Sequence, residues 1–226
     1  MRAGILLQAR MASSRLPGKA LAPIAGRPLI EHCLRRLMAA GVARVVLATT
    51  TRDEDTALCE LATGLGVAVY RGSDTDVLAR MAEAAEAFDI DPVIRATGDN
   101  PAVDIEAPGR TLAALRDAHA DYAFEEGLPY GAAVEAVTRQ ALLRAAREAT
   151  APDDREHVTT WVKRRSDLWN LVFAPAPAAL HRPEVRITVD TPGDLAHVRA
   201  LFARTGTDQP SLRALIEAAG QKLEVA

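Results

Sequence analysis

Ala3-Gly-Ile-Leu-Leu-Gln-Ala-Arg-Met-Ala-Ser-Ser-Arg-Leu-Pro-Gly-Lys19 joins an apolar run to a cationic loop. Ala3 to Leu7 has the length and character of a buried strand. From Arg10 to Arg27 the chain carries Arg10, Arg15, Lys19 and Arg27 and no acid, with Gly18, Gly26, Ser13 and Ser14 between them. A helix is predicted from Pro28, a residue suited to a first helical turn. Strand-to-helix connections usually take two to six residues, whereas this one runs to about eighteen, a length that marks function or disorder. The reading is a loop that wraps a polyphosphate with backbone N–H groups and cations beside a helix start. The P-loop spelling fails, since Ser13 stands at its first Gly position and Ala20 follows Gly18-Lys19. The dinucleotide spelling G-x-G-x-x-G also fails: Gly64-Leu-Gly66 meets Val69 at the third Gly position and precedes a strand.

Outward from that loop the chain alternates. Strands are predicted at Ala3–Ala9, Arg44–Thr49, Val67–Tyr70, Pro92–Ala96 and Tyr122–Phe124. Helices are predicted near Leu29–Ala40, Glu54–Leu65, Val77–Phe88 and Glu106–Ala118, with Gly41 as the cap of the first. Such alternation predicts an α/β fold, a three-layer Rossmann-like arrangement with a mostly parallel sheet covered on both faces. Beyond Ala120 the expectations are a strand at Ala132–Val137, helices at Arg139–Thr150 and Asp154–Arg165, and strands at Leu168–Ala174 and Val185–Val189. A helix from Thr191-Pro192 to near Gly206 and a short one, Leu212–Ala219, capped by Ser211, complete the pattern. Ligands of parallel sheets bind beyond the carboxyl ends of the strands. The loops after Ala9, Ala96 and Val189 are therefore expected to share one site.

The 226 residues fit one domain, 1–226, and the segment around 125–185, with its proline-rich loop, is expected to rim the site or serve dimerisation. With 27 basic and 30 acidic residues the net charge is −3, which argues against a general nucleic-acid binder. The cations are local, and a local cluster suits a small anionic ligand. Cys33 and Cys59 fall in predicted helices and read as reduced packing residues of a cytoplasmic protein. No apolar run reaches the length of a membrane span. His32, His119, His157, His181 and His197 are too scattered for a zinc pattern.

Two acidic motifs follow predicted strands, Arg95-Ala-Thr-Gly-Asp-Asn-Pro101 and Ile187-Thr-Val-Asp-Thr-Pro192. Asp99 and Asp190 suit Mg²⁺, which takes one or two carboxylates with waters and phosphate oxygens. Each also has a structural reading: Asp99 as a turn former and Asp190 or Thr191 as a helix cap.

These motifs resemble those of the SpsF-type (spore coat polysaccharide) cytidylyltransferases, relatives of the acylneuraminate and 3-deoxy-manno-octulosonate cytidylyltransferases. Gln8 to Lys19 is similar to the family's opening motif. The likeness continues through Ala48-Thr-Thr-Thr51, Tyr70-Arg-Gly-Ser-Asp-Thr-Asp-Val-Leu78, Thr97-Gly-Asp-Asn-Pro101, Arg155-Glu-His-Val-Thr159 and Arg186-Ile-Thr-Val-Asp-Thr-Pro192. The resemblance implies the nucleotide-diphospho-sugar transferase fold and Mg²⁺-dependent transfer of CMP from CTP to a small acidic acceptor, with release of pyrophosphate. It places Arg10, Arg15 and Lys19 on the triphosphate, and Arg71, Gly72 and Ser73 near the base or ribose. Gln8, Ala9 and Thr97 complete the nucleotide set. Arg15, Lys19 and Asp99 would act in catalysis, with Asp99 and Asp190 on the metal. Tyr130, Glu135, Arg155, His157 and Arg186 would border the acceptor. Relatives of this kind often form homodimers. The chain departs from the family at Asn100, where Cys is frequent, and at Ala133, where Asp is expected. Two alternatives stay open: a non-catalytic nucleotide-binding module, and a nucleotidyltransferase that uses another nucleotide.

Overall fold

A computed structural model describes residues 2–42 and 44–220. The opening apolar run forms strand β1 (Gly4–Gln8), whose first four residues are buried. Its alternation sends Ile5 and Leu7 into one hydrophobic cluster and Leu6 into another, on opposite faces of the sheet. The long connection is ordered locally by a 3-10 turn at Lys19–Leu21 and a small hairpin, β2 (Pro23–Ile24) with β3 (Arg27–Pro28). Helix α1 (Leu29–Ala39) then buries Leu29, Ile30, Cys33, Leu34 and Leu37. Pro28 is the residue before the helix rather than its first turn, and Gly41, at φ +72°, follows the last turn as expected.

The alternation continues through β4 (Val45–Thr50), α2 (Thr56–Gly64), β5 (Ala68–Gly72), α3 (Val77–Ala87), β6 (Val93–Thr97), α4 (Ala107–Asp117) and β7 (Tyr122–Glu126). Then come β8 (Glu135–Val137), α5 (Arg139–Glu148), α6 (Pro152–Glu156), α7 (Thr160–Lys163), β9 (Leu171–Pro175), α8 (Pro192–Thr205) and α9 (Leu212–Gly220). Among the described residues one sheet runs in the order β5-β4-β1-β6-β8-β7-β9. Its first four strands are parallel, β8 lies antiparallel between β6 and β7, and β9 is parallel to β7. Residues of α1, α2, α4, α8 and α9 pack on one face, and those of α3, α5 and α7 on the other. This is the mostly parallel, doubly covered α/β sheet that the alternation implies.

Two expectations are corrected. Val185–Val189 is not a sheet strand; one isolated bridge, Tyr130 to Arg186, is its share of β structure. The residues instead bond across a gap, Tyr130 N–H to the Val185 carbonyl and Ile187 N–H to the Tyr130 carbonyl. The helix expected over Asp154–Arg165 is broken into α6 and α7, because Val158 takes φ +57°, which no helix continues through. Among the described residues no helix is long and apolar enough to cross a membrane.

Candidate active site

The carboxyl ends of β1 and β6 are neighbours, so the loops that leave them rise side by side. Gly18, at φ +70°, turns the first loop into the 3-10 turn that carries Lys19. Lys19 Nζ donates to the Val189 carbonyl at 2.9 Å and lies 3.2 Å from Asp190 Oδ1 and 3.5 Å from Asp99 Oδ2. Arg15, largely exposed, reaches the same Asp190 oxygen at 3.1 Å. The three loops expected to share a site do meet, and one ammonium joins them.

The loop after β6 is held from two sides. Thr97 Oγ1 donates to Asp99 Oδ1 at 2.6 Å, and Asn100 Nδ2 donates to Thr97 Oγ1 at 2.8 Å. The Val189 N–H donates to the Asp99 carbonyl at 2.8 Å, and Thr188 Oγ1 reaches that carbonyl at 3.3 Å. Gly98 is required by close approach. A Cβ there would lie 2.6 Å from the Ala9 Cβ and 3.1 Å from the Gln8 carbonyl oxygen. Neither neighbour is a flexible side-chain end. Gly98→Ala is expected to lower stability by ~1–3 kcal/mol through overpacking. It should also cut turnover in any reaction that uses Asp99 at least about ten-fold, since misplacement of a positioned group by an ångström costs more than that. A thermal melt and a turnover assay on one preparation check both.

Thr191, not Asp190, caps α8, in a reciprocal capping box with Asp194. Asp190 is thereby left to the cations. Its Oδ2 is 3.0 Å from Arg186, which also holds Asp194 at 2.9 Å. That hydrogen bond from Arg186, with the Asp190 and Thr191 N–H groups, keeps Asp194 well below the usual carboxylate range although desolvation opposes it. The cluster has two carboxylates facing a cationic loop, both partly exposed. Such a donor set suits Mg²⁺, which fills its remaining positions with water and phosphate. Among the described residues no three potential ligands are gathered as a closed metal cage would need.

The residues expected to hold the nucleotide lie along the same edge. Gln8, at the end of β1, accepts from Arg95 Nε at 3.0 Å, and Ala9 donates to the Ala48 carbonyl at 3.3 Å. Arg10 is engaged with Glu156 at 3.0 Å and the Asp74 carbonyl at 3.1 Å. Arg71 spans two carbonyls, Thr50 at 2.9 Å and Arg52 at 2.7 Å. At Gly72 a side chain would strike the Tyr70 ring at 2.8 Å. Ser73 Oγ accepts from the Asp76 N–H at 3.1 Å, and the Ser73 carbonyl accepts from buried Arg80.

The acceptor set divides. Tyr130 and Arg186 do lie together beside Asp190, the guanidinium 4.8 Å from the ring centroid and the ring 60% exposed. Glu135, Arg155 and His157 are not brought there. Glu135 is buried and accepts from Tyr122 at 2.7 Å, Thr159 at 2.9 Å, Lys163 at 3.0 Å and Arg95. Those donors leave it no capacity for a substrate. Burial alone would raise its carboxyl, but Arg95 and Lys163, with the Tyr122 hydroxyl, prevail and hold it at about 2. Arg155 is spent on Asp76 and on the carbonyls of Ala146 and Ala149. His157 is exposed, its partner Asp153 one helical turn earlier at 3.4 Å. Within the Arg155-Glu-His-Val-Thr159 motif, Arg155 braces α6 against the start of α3, and Glu156 reaches Arg10 in the loop after β1. Sequence reasoning missed Arg95, Asp194 and Asp55. Arg95 and Asp194 are flanked by stronger motifs, and Asp55 sits in a charge run that reads as a solvated helix start.

A doubly covered, mostly parallel sheet whose carboxyl edge sets cations against two carboxylates defines a site for a small anionic ligand beyond the strand ends. Comparison with known proteins narrows the class. The family model described as cytidylyltransferase matches residues 4–218, and the chain belongs to that family. It is 32% identical over 215 residues to the spore coat polysaccharide biosynthesis protein SpsF of Bacillus subtilis, covering 92% of this chain and 89% of that one. It is 36% identical over 200 residues to the 3-deoxy-manno-octulosonate cytidylyltransferase of Rhodopseudomonas palustris strain BisB5, covering 80% of each. A solved cytidylyltransferase from Leptospira borgpetersenii superposes with a TM-score of 0.88 at 27% identity over 99% of both chains.

Proposed function

We propose that this cytidylyltransferase activates a small sugar acid in a Mg²⁺-dependent reaction at the Lys19–Asp99–Asp190 cluster. The convergence of Lys19 on both carboxylates, with Arg15 beside them, is the observation that carries the reading. An acceptor hydroxyl attacks the α-phosphorus of CTP in line; the new P–O bond forms as the bond to the β-phosphate oxygen breaks. The acceptor's hydroxyl proton passes to solvent and pyrophosphate leaves. Charge grows on that leaving group, and Arg15 and Lys19 stand where preorganised cations lower the barrier. Mg²⁺ held by Asp99 and Asp190 would supply Lewis-acid neutralisation of phosphate oxygens. Arg10 holds the polyphosphate from the other side of the loop, and Arg71, Gly72 and Ser73 border the nucleoside. No protein nucleophile is needed.

The acceptor class extends to this chain from the relatives named for 3-deoxy-manno-octulosonate. Tyr130, within the 125–185 acceptor segment, and Arg186, just beyond it, supply its near wall. Thermal shift with CTP, UTP, GTP, ATP and dTTP, with and without Mg²⁺, tests the reading. Selective stabilisation by CTP that needs Mg²⁺ is expected, followed by pyrophosphate release once a sugar acid is added. Equal response to all nucleotides, or none, would sink it.

A further inference from the structure

Asp55 is fully buried, yet no cation lies within ion-pair distance of it among the described residues. Its carboxylate is satisfied by neutral donors from two segments. Oδ1 accepts from the Met11 N–H at 2.6 Å. Oδ2 accepts from Thr49 Oγ1 at 3.1 Å, the Thr50 N–H at 3.1 Å and Thr50 Oγ1. Met11 belongs to the phosphate loop, next to Arg10. Thr50 ends β4, and its carbonyl is one of the two that hold Arg71, the other being that of Arg52. One buried side chain therefore pins the polyphosphate loop to the strand end that orients the nucleoside side.

A buried carboxylate is expensive to keep, and neutral donors compensate it less than a cation would. A mere packing position would be filled more cheaply by an apolar residue. Asp55 also lies away from the Lys19–Asp99–Asp190 cluster in its contacts, so it touches none of the reacting groups.

We propose that Asp55 is a positioning residue for CTP: it fixes the phosphate loop at Met11 and, through Thr50, Arg71, so that the phosphate and nucleoside contacts are preset at one spacing. The consequence falls on nucleotide affinity and not on the acceptor side.

The test compares Asp55→Ala and Asp55→Asn with the wild-type chain by titration calorimetry with CTP and Mg²⁺, hydrogen exchange at residues 9–12, and acceptor KM. Asp55→Ala should raise the Kd for CTP by about 10- to 100-fold, the size of a lost hydrogen bond to a charged group. Exchange at the Met11 amide should accelerate, and acceptor KM should stay within about two-fold. Asp55→Asn keeps one carbonyl oxygen but turns an NH₂ toward one set of donors. Its CTP affinity should fall between the other two. Where the alanine variant does not fold, the asparagine variant carries the test, with a CTP Kd raised several-fold. Unchanged CTP affinity in a folded variant, or an equal rise in acceptor KM, overturns the positioning role. A wild-type chain that binds no CTP overturns this inference together with the nucleotide assignment, so the two failures are told apart.

Discussion

Lys19→Met should lower kcat/KM for CTP by about 10³-fold, the cost of removing a preorganised charge from a developing leaving group. The lysine has two tasks, and both are lost. In the resting protein its ammonium is the shared partner of Asp99 and Asp190. Without it two carboxylates face each other with Arg15 and Arg186 on one of them alone. In the proposed reaction the same ammonium would neutralise charge on the departing pyrophosphate. CTP titration at fixed Mg²⁺ measures the first loss, and steady-state pyrophosphate release measures the second. The double variant Lys19→Met/Asp190→Asn should fall far short of the product of the single effects, since residues that act as a unit are not additive. A fully multiplicative double variant would separate Lys19 from Asp190 and refute the shared site.

Glu135→Ala is expected to cost ~3–5 kcal/mol of stability, the range for breaking a buried ion pair by removal of one partner. Arg95 would keep Gln8 as its remaining bond, while Tyr122 and Thr159 would lose an acceptor. Because β8 is a three-residue strand between β6 and β7, its Glu135 is where the parallel half of the sheet is locked to β7 and α7. The pH dependence follows from a carboxyl held at about 2 in the folded chain against an ordinary value of 4.5. Its contribution is complete above the ordinary value and disappears as pH falls from there through about 2. Glu135→Gln should therefore flatten that part of the acid limb in a denaturant midpoint series. An unchanged acid limb would remove Glu135 from the stabilising network. Catalytic constants of folded Glu135→Gln should change little, in contrast with Lys19→Met.

The contrast between Glu135 and Asp99 shows where a chain can be read without its structure. Both are acids in motifs that resemble those of known cytidylyltransferases. Asp99 follows a strand in a Gly-containing turn, and the carboxyl edge of a parallel sheet sends such turns to the site. Glu135 lies within a strand, and which side of the sheet it serves depends on the pairing partner of β8. That partner is β6 on one side and β7 on the other, a choice made by contacts far apart in sequence. The same limit applies to Arg155. Its reach toward an acceptor or toward Asp76 depends on the break at Val158 and on how α6 settles against α3.

The alternating α/β architecture, the long cationic loop after β1 and the meeting of three loops at the carboxyl edge are legible in the residues alone. Hydrophobic period, Gly and Pro punctuation and local charge are all carried by residues close in the chain. Long-range packing settles that Lys19 joins Asp99 to Asp190, that Glu135 and Arg155 brace the scaffold, and that Asp55 ties the loop after β1 to β4. Each of these is a contest among buried donors and acceptors brought together by long-range packing. The winner is set by distance and desolvation, which no local pattern records.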